Sequence, residues 1–295
     1  MLQLAHFSVK EYLTSGRLES DIAPGFHMAT ASALIAKVSL AFMLQFKEEP
    51  QPGQVIKAFP FAEYAAEFWM SFAAVSKEED QALLDLIEIF FCFQRNPYTV
   101  CYALYRPDEE DMVFKGEGTP CSPLYYSAFG GLRKTVRMLL ERNTDVDGQG
   151  GCYGNALQAA SAKGHEAVVK LLLDKGVDVN VEEGVYGNAL YAASSEGHEH
   201  VVKLLLDKGA DVNAQGGRYG NALQAASAEG HEAVVKLLLN KGADVNFHGG
   251  YYSSALQAAS CNGHEQVVNW LLDKGMDINA VGGAYCNAIQ EASLG

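Results

Sequence analysis

The chain has 295 residues, with 22 Lys and Arg against 36 Asp and Glu, a formal net charge of −14. Nine basic and seventeen acidic residues fall within residues 1–119, thirteen and nineteen within residues 120–295, so neither part carries the sustained basic surface that nucleic-acid binding requires. Six cysteines, at 92, 101, 121, 152, 261 and 286, form no C-x-x-C pair, and His6, Lys10 and Glu11 interrupt any N-terminal leader; reduced thiols in a cytosolic or nuclear compartment are expected.

At the start, "LQLAHFSVKEYLTSGRL" begins with an apolar run and sets Ser8 and Glu11 in capping-box spacing ahead of a helix. Phe26 to Phe46 is the longest apolar region. It contains His27, Lys37 and Gln45 and is helix-periodic, which predicts a buried helix rather than a membrane span. "LIAKVSLAFMLQF" and "FPFAEYAAEFWMSFA" look like the helical connector of fungal NACHT-type signalling ATPases, and that resemblance implies a helical connector over residues 24–118. The acidic run "PDEED", Pro107 to Asp111, lacks the D-x-D-x-D-G loop and distant Glu of a calcium site, and reads as a solvated linker. Four cations in "LRKTVRMLLER", Leu132 to Arg142, read as the solvated side of a helix.

From about Pro120 the chain repeats itself. A Tyr recurs at 153, 186, 219, 252 and 285, always 33 residues apart, and Leu124 lies 33 before Leu157. A fixed period between about 20 and 50 residues marks a stacked array. Each unit holds two short helical segments, "NALQAAS" and "HEAVVKLLLDKG". Asn155 is placed to cap the first, and Gly176 to end the second in the left-handed conformation. Val168, Leu171 and Leu172 make an apolar face opposite Lys170, Asp174 and Lys175, while Ala156, Ala159, Ala160 and Ser161 are small enough to let neighbouring first helices approach closely. One helix pair cannot bury such a face alone, so stability becomes a nearest-neighbour property. Truncating an interior leucine such as Leu204 to Ala is expected to cost about 2–5 kcal/mol.

These units resemble the ankyrin family. Its T-P-L-H-x-A signature survives best as "SPLYYSA", Ser122 to Ala128, and is rewritten as "NALQAA", "NALYAA" and "SALQAA"; the Gly-His pairs and the G-A-D-V-N ending also fit. The resemblance implies an all-α fold: an ankyrin-repeat solenoid of stacked helix pairs with β-turn fingers over residues 120–295, preceded by a helical region. Units would start near 120, 153, 186, 219 and 252, with a partial one at 285. The first unit is atypical, with Leu132 where the others have His and Asn143 where they have Gly, as capping units often are. The last stops at Gly295 inside its first helix, so the array reads as cut short there. Val267, Trp270 and Leu271 would then be only partly covered, with fraying or self-association as the consequence.

Residues 2–105 are similar to the closing winged-helix segment (residues 1–20) and helical connector of fungal NACHT-type signalling ATPases, which implies that Met1 begins late in a longer architecture. Such an ATPase needs a G-x-x-x-x-G-K-[ST] loop, whose backbone amides cradle phosphates while the Lys and hydroxyl hold the terminal phosphate and magnesium. No Gly-Lys followed by Ser or Thr occurs, nor any G-x-S-x-G elbow, so no enzyme activity and no cofactor is expected. The recurrent His165, His198, His231 and His264 would stand roughly 10 Å apart in stacked units, too far for two rings to share a zinc at about 2 Å per bond; they read as structural hydrogen-bonding groups, with no metal.

A binding surface is what remains, and the units can be compared with one another. Those starting at Tyr153 and Tyr186 agree at 24 of 33 positions. The residue before each Tyr varies (Cys152, Val185, Arg218, Tyr251), as do an inner-helix residue (Gln158, Tyr191, Gln224, Gln257) and the end of that helix (Lys163, Glu196, Glu229, Asn262). The resemblance implies that partners meet the fingers and the concave inner-helix face, where these twelve positions map. Arg218 and Tyr251 lead, since Arg and Tyr are enriched among residues that carry interface energy. The function expected is recognition of another protein, of basic or acid-tolerant surface, with neither nucleic acid nor membrane as partner. The alternative is a truncated regulatory relative of NACHT-type ATPases, assembling with full-length family members through residues 1–119.

Overall fold

A computed structural model describes residues 28–46, 52–59, 61–76, 80–92, 96–105 and, apart from positions 143, 147 and 149, 121–276. The capping box at Ser8, the whole winged-helix segment, the "PDEED" run, Asn143 and the unit from Tyr285 lie outside the described residues. The chain divides into two compact units, residues 1–106 and 107–295.

The first unit contains α1 (Met28–Met43), α2 (Pro52–Ala58), α3 (Phe61–Val75), α4 (Gln81–Cys92) and α5 (Asn96–Leu104). Helix α1 packs against α3, α4 and α5, and α2 against α3 and α5. Ala33, Ala36, Leu40 and Met43 recur at intervals of three and four residues and are buried, which defines the packed side of α1. Trp69 on α3 lies 5.1 Å from Phe90 and 5.8 Å from Phe91 of α4, ring centroid to centroid. Lys37 pairs with Asp80 at 2.7 Å. The expected buried helix is thus present, but only one side of it is covered: Leu34 and Val38 stay exposed. No helix among the described residues is long and apolar enough to cross a membrane.

The second unit is a run of helix pairs. Inner helices are α6 (Pro123–Phe129), α8 (Ala156–Ala162), α10 (Ala189–Ser195), α12 (Ala222–Ala228) and α14 (Ala255–Cys261). Outer helices are α7 (Arg133–Glu141), α9 (Glu166–Asp174), α11 (Glu199–Asp207), α13 (Glu232–Asn240) and α15 (Glu265–Asp273). Successive inner helices touch, successive outer helices touch, and each pair packs on itself, around one continuous apolar core. Ser122, Asn155, Asn188, Asn221 and Ser254 cap the inner helices, each accepting the backbone N–H three residues on. Gly176, Gly209, Gly242 and Gly275 follow the outer helices at φ of 87–92°.

The recurrent histidines tie one unit to the unit before. Nε2 of His165, His198, His231 and His264 lies 2.9–3.0 Å from the carbonyl of Phe129, Ala162, Ser195 and Ala228. A carbonyl only accepts, so each ring donates from Nε2. Burial pushes the His165 ring below its ordinary pKa, with the bond to Phe129 opposing that shift.

Two expectations about the core need correction. Leu204 is only half-buried; Leu205 is the side chain fully enclosed, with Val201 and Val202 beside it. Val267 and Leu271 are fully buried, so incomplete cover holds for Trp270 alone, whose ring carries Lys236 Nζ at 3.8 Å.

Candidate functional site: the finger and tyrosine face

Each finger reverses the chain between one outer helix and the next inner helix. Its base is built by the D-V-N ending. Asp211 Oδ1 accepts the Asn213 N–H at 2.9 Å, and Asn180 reaches across units, donating to the Gly209 carbonyl at 3.2 Å and accepting the Asp211 N–H at 2.9 Å. Asn213 repeats the arrangement with Gly242 and Asp244. Strand β1 (Gln215–Gly216) then pairs antiparallel with β2 (Gly220–Asn221), and single bridges Gly150–Gly154, Glu183–Gly187 and Gly249–Ser253 mark the same reversal elsewhere. Fingertips are joined backbone to backbone, Val185 N–H to Cys152 at 3.0 Å and Tyr251 N–H to Arg218 at 3.1 Å.

Under each finger lies the third residue of the preceding inner helix. The Gln158 side-chain amide faces the carbonyls of Val181, Glu183 and Gly187 at 3.0–3.2 Å, and Gln224 donates to Gly249 at 2.9 Å. Tyr191 does the same work by another route, its hydroxyl accepting the Tyr219 N–H at 3.1 Å. Burial raises its pKa, which keeps it a neutral phenol. A β-carbon at Gly217, where φ is 63°, would run into the Tyr191 ring, so only glycine fits that turn.

Above lies the column of tyrosines that opens each unit. Tyr153 and Tyr186 stack with centroids 5.3 Å apart, and Tyr219 and Tyr252 at 5.7 Å. Each ring meets the end of its own inner helix: Tyr186 donates to Glu196 and Tyr219 to Glu229, both at 2.9 Å, while Asn262 donates to the Tyr252 hydroxyl at 3.3 Å. Lys163 Nζ lies 5.5 Å from the Tyr153 ring and 5.0 Å from that of Phe129. Burial first, then the bond to Glu229, pushes the Tyr219 phenol up to about 12, so it stays a donor at neutral pH. The Arg218 guanidinium sits 4.5 Å from the Tyr251 ring and 5.8 Å from that of Tyr219.

The family model for ankyrin repeats matches the chain in three copies, over residues 89–183, 124–216 and 190–281. The chain belongs to the ankyrin repeat family. It is also 37% identical over 187 residues to the azaphilone pigments biosynthesis cluster protein L of Monascus ruber, an alignment covering 56% of this chain and 39% of that protein. The chain therefore spans less than half the length of that relative.

On this ankyrin frame the twelve sequence candidates separate into two groups. Val185, Arg218 and Tyr251 are exposed at the fingertips, with Cys152 half-buried; Glu196, Glu229 and Asn262 are exposed at the inner-helix ends, with Lys163 half-buried. Tyr186, Tyr219 and Tyr252 are half-buried and each bonds to the inner-helix end of its unit, whereas Tyr153 is buried. Gln158, Tyr191, Gln224 and Gln257 lie in neither row. They are 1–2% exposed and belong to the frame, so the expectation that they meet a partner is overturned by their burial. The sequence reading missed the tyrosines, because a residue that recurs in every unit reads as scaffold. Their fixed offset of ten from the variable helix end was the available signal. Among the described residues no group of His, Cys, Asp and Glu is arranged to hold a metal. Cys101 is no nucleophile: burial pushes its thiol up to about 12, leaving it protonated.

Proposed function

We propose that the chain is a non-enzymatic docking protein that binds a protein partner across its ankyrin fingertips and the adjoining inner-helix ends. One observation carries this reading. Val185, Arg218, Tyr251, Glu196, Glu229 and Asn262, at positions where otherwise near-identical units differ, are all exposed, on the fingertips and at the adjoining inner-helix ends. A surface can diverge from unit to unit there without touching the frame. An Arg218 is well suited to it, since planar guanidinium and aromatic groups supply interface energy at low ordering cost.

The test is capture from an extract by the wild type and by an Arg218→Ala/Tyr251→Ala double variant of equal helicity. Loss of the captured proteins supports the docking face; an unchanged set contradicts it. The reading as a regulatory relative of NACHT-type ATPases acting through residues 1–119 rests in part on residues 1–20, which lie outside the described residues, and no contact described above favours it.

A further inference from the structure

We infer that Arg218 anchors one carboxylate of an extended partner segment, with an apolar residue three positions from that carboxylate seated on Val185. This rests on the docking reading above and adds the chemistry of the ligand. The Arg218 side chain is exposed and forms no ion pair with a described residue. Glu229, in the unit that Arg218 precedes, instead accepts the Tyr219 hydroxyl at 2.9 Å.

The guanidinium is also held in place. It lies 4.5 Å from the Tyr251 ring, and the Tyr251 N–H bonded to the Arg218 carbonyl at 3.1 Å keeps the two fingertips adjacent. A guanidinium stacked on a ring has one face occupied and its edge N–H donors open, the geometry in which a carboxylate is taken by two parallel hydrogen bonds. Less conformational freedom is then lost on binding.

Spacing sets the rest of the motif. Neighbouring units stand about 10 Å apart if their helices pack at the usual distance, and an extended chain advances about 3.3 Å per residue. Three residues therefore span one unit. The fingertip before Arg218 carries Val185, 54% exposed, which offers an apolar contact at that distance. The surroundings limit the charge of the ligand. Glu182 on the finger and Glu196 and Glu229 at the inner-helix ends are exposed carboxylates that would repel further acidic groups. The ligand is a single Asp or Glu among apolar neighbours, not an acidic run.

The experiment is selection of a random displayed peptide library on the intact chain, followed by affinity measurement of selected peptides against wild type, Arg218→Gln, Arg218→Lys and Val185→Asp. The expected result is enrichment of Asp or Glu three residues from an aliphatic or aromatic residue. Affinity should fall about tenfold on Arg218→Gln and when the peptide carboxylate becomes an amide, with no further loss when both are changed. Arg218→Lys should recover only part, because the stacked plane is gone. Peptides lost on Val185→Asp yet indifferent to Arg218→Gln, or enriched in Lys and Arg, overturn the inference and leave the docking face standing. An absence of binders, or binders unaffected by either change, overturns both.

Discussion

Ser253 holds a φ of 69° at the position where Gly154, Gly187 and Gly220 hold 104°, 78° and 109°. A side chain in that region costs about 1 kcal/mol, so Ser253→Gly is expected to stabilise the array by about that amount, read as a higher urea midpoint. The His165 ring gives a pH dependence. Its folded pKa lies below the ordinary value of 6.5, so the neutral ring is favoured in the fold. Its contribution is therefore fully present above that value and is lost as pH falls from 6.5 towards the folded pKa. Urea midpoints should fall over that window, and less steeply in His165→Asn, which retains an N–H donor. Single residues were unevenly legible in the sequence. The cap at Asn155 follows from local chemistry, its side chain accepts the Gln158 N–H, and Asn188 and Asn221 repeat it in the next two units; the serine caps at Ser122 and Ser254 emerge from the structure. The glutamines were misread because polarity and variation both suggest a surface, whereas the carbonyls that satisfy Gln158 come from a finger 23–29 residues away.

At the scale of the helix, a run of three leucines leaves the inward register open. Outer helices must pack on their own inner helix and on two outer neighbours, so the buried face is wide and begins at the paired valines. In α9 it comprises Val168, Val169, Leu172 and Leu173, with Leu171 at its edge. Leu205→Ala in α11 is expected to cost about 2–5 kcal/mol, and Leu204→Ala distinctly less, by chemical denaturation. The ion pairs along the outer helices contribute differently. Lys208 reaches Asp174 at 2.7 Å and Lys241 reaches Asp207 at 2.8 Å, and these lysines hold both carboxyls below their ordinary pKa. Both pairs are exposed and screened by salt, so Lys208→Ala should leave the urea midpoint unchanged at physiological ionic strength.

For the whole molecule, the 33-residue period made the stacked part legible, because repeated caps, stops and apolar stripes point to one module. The region before it offered no period. Two helical stretches were legible there, Phe26 to Phe46 and "FPFAEYAAEFWMSFA", but α2, α4 and α5 were not singled out and the helix partners were not readable, since Trp69 finds Phe90 and Phe91 through contacts that no local pattern encodes. The central claim is that stability passes between neighbouring units, so that a unit is an interchangeable part whose fingertip can change while its frame does not. Excising residues 219–251, one full period, and following urea unfolding of the remaining chain tests it most directly. The account predicts a folded helical protein with a lower midpoint and a shallower denaturant dependence, as one buried interface is removed. A chain that no longer unfolds cooperatively would contradict it.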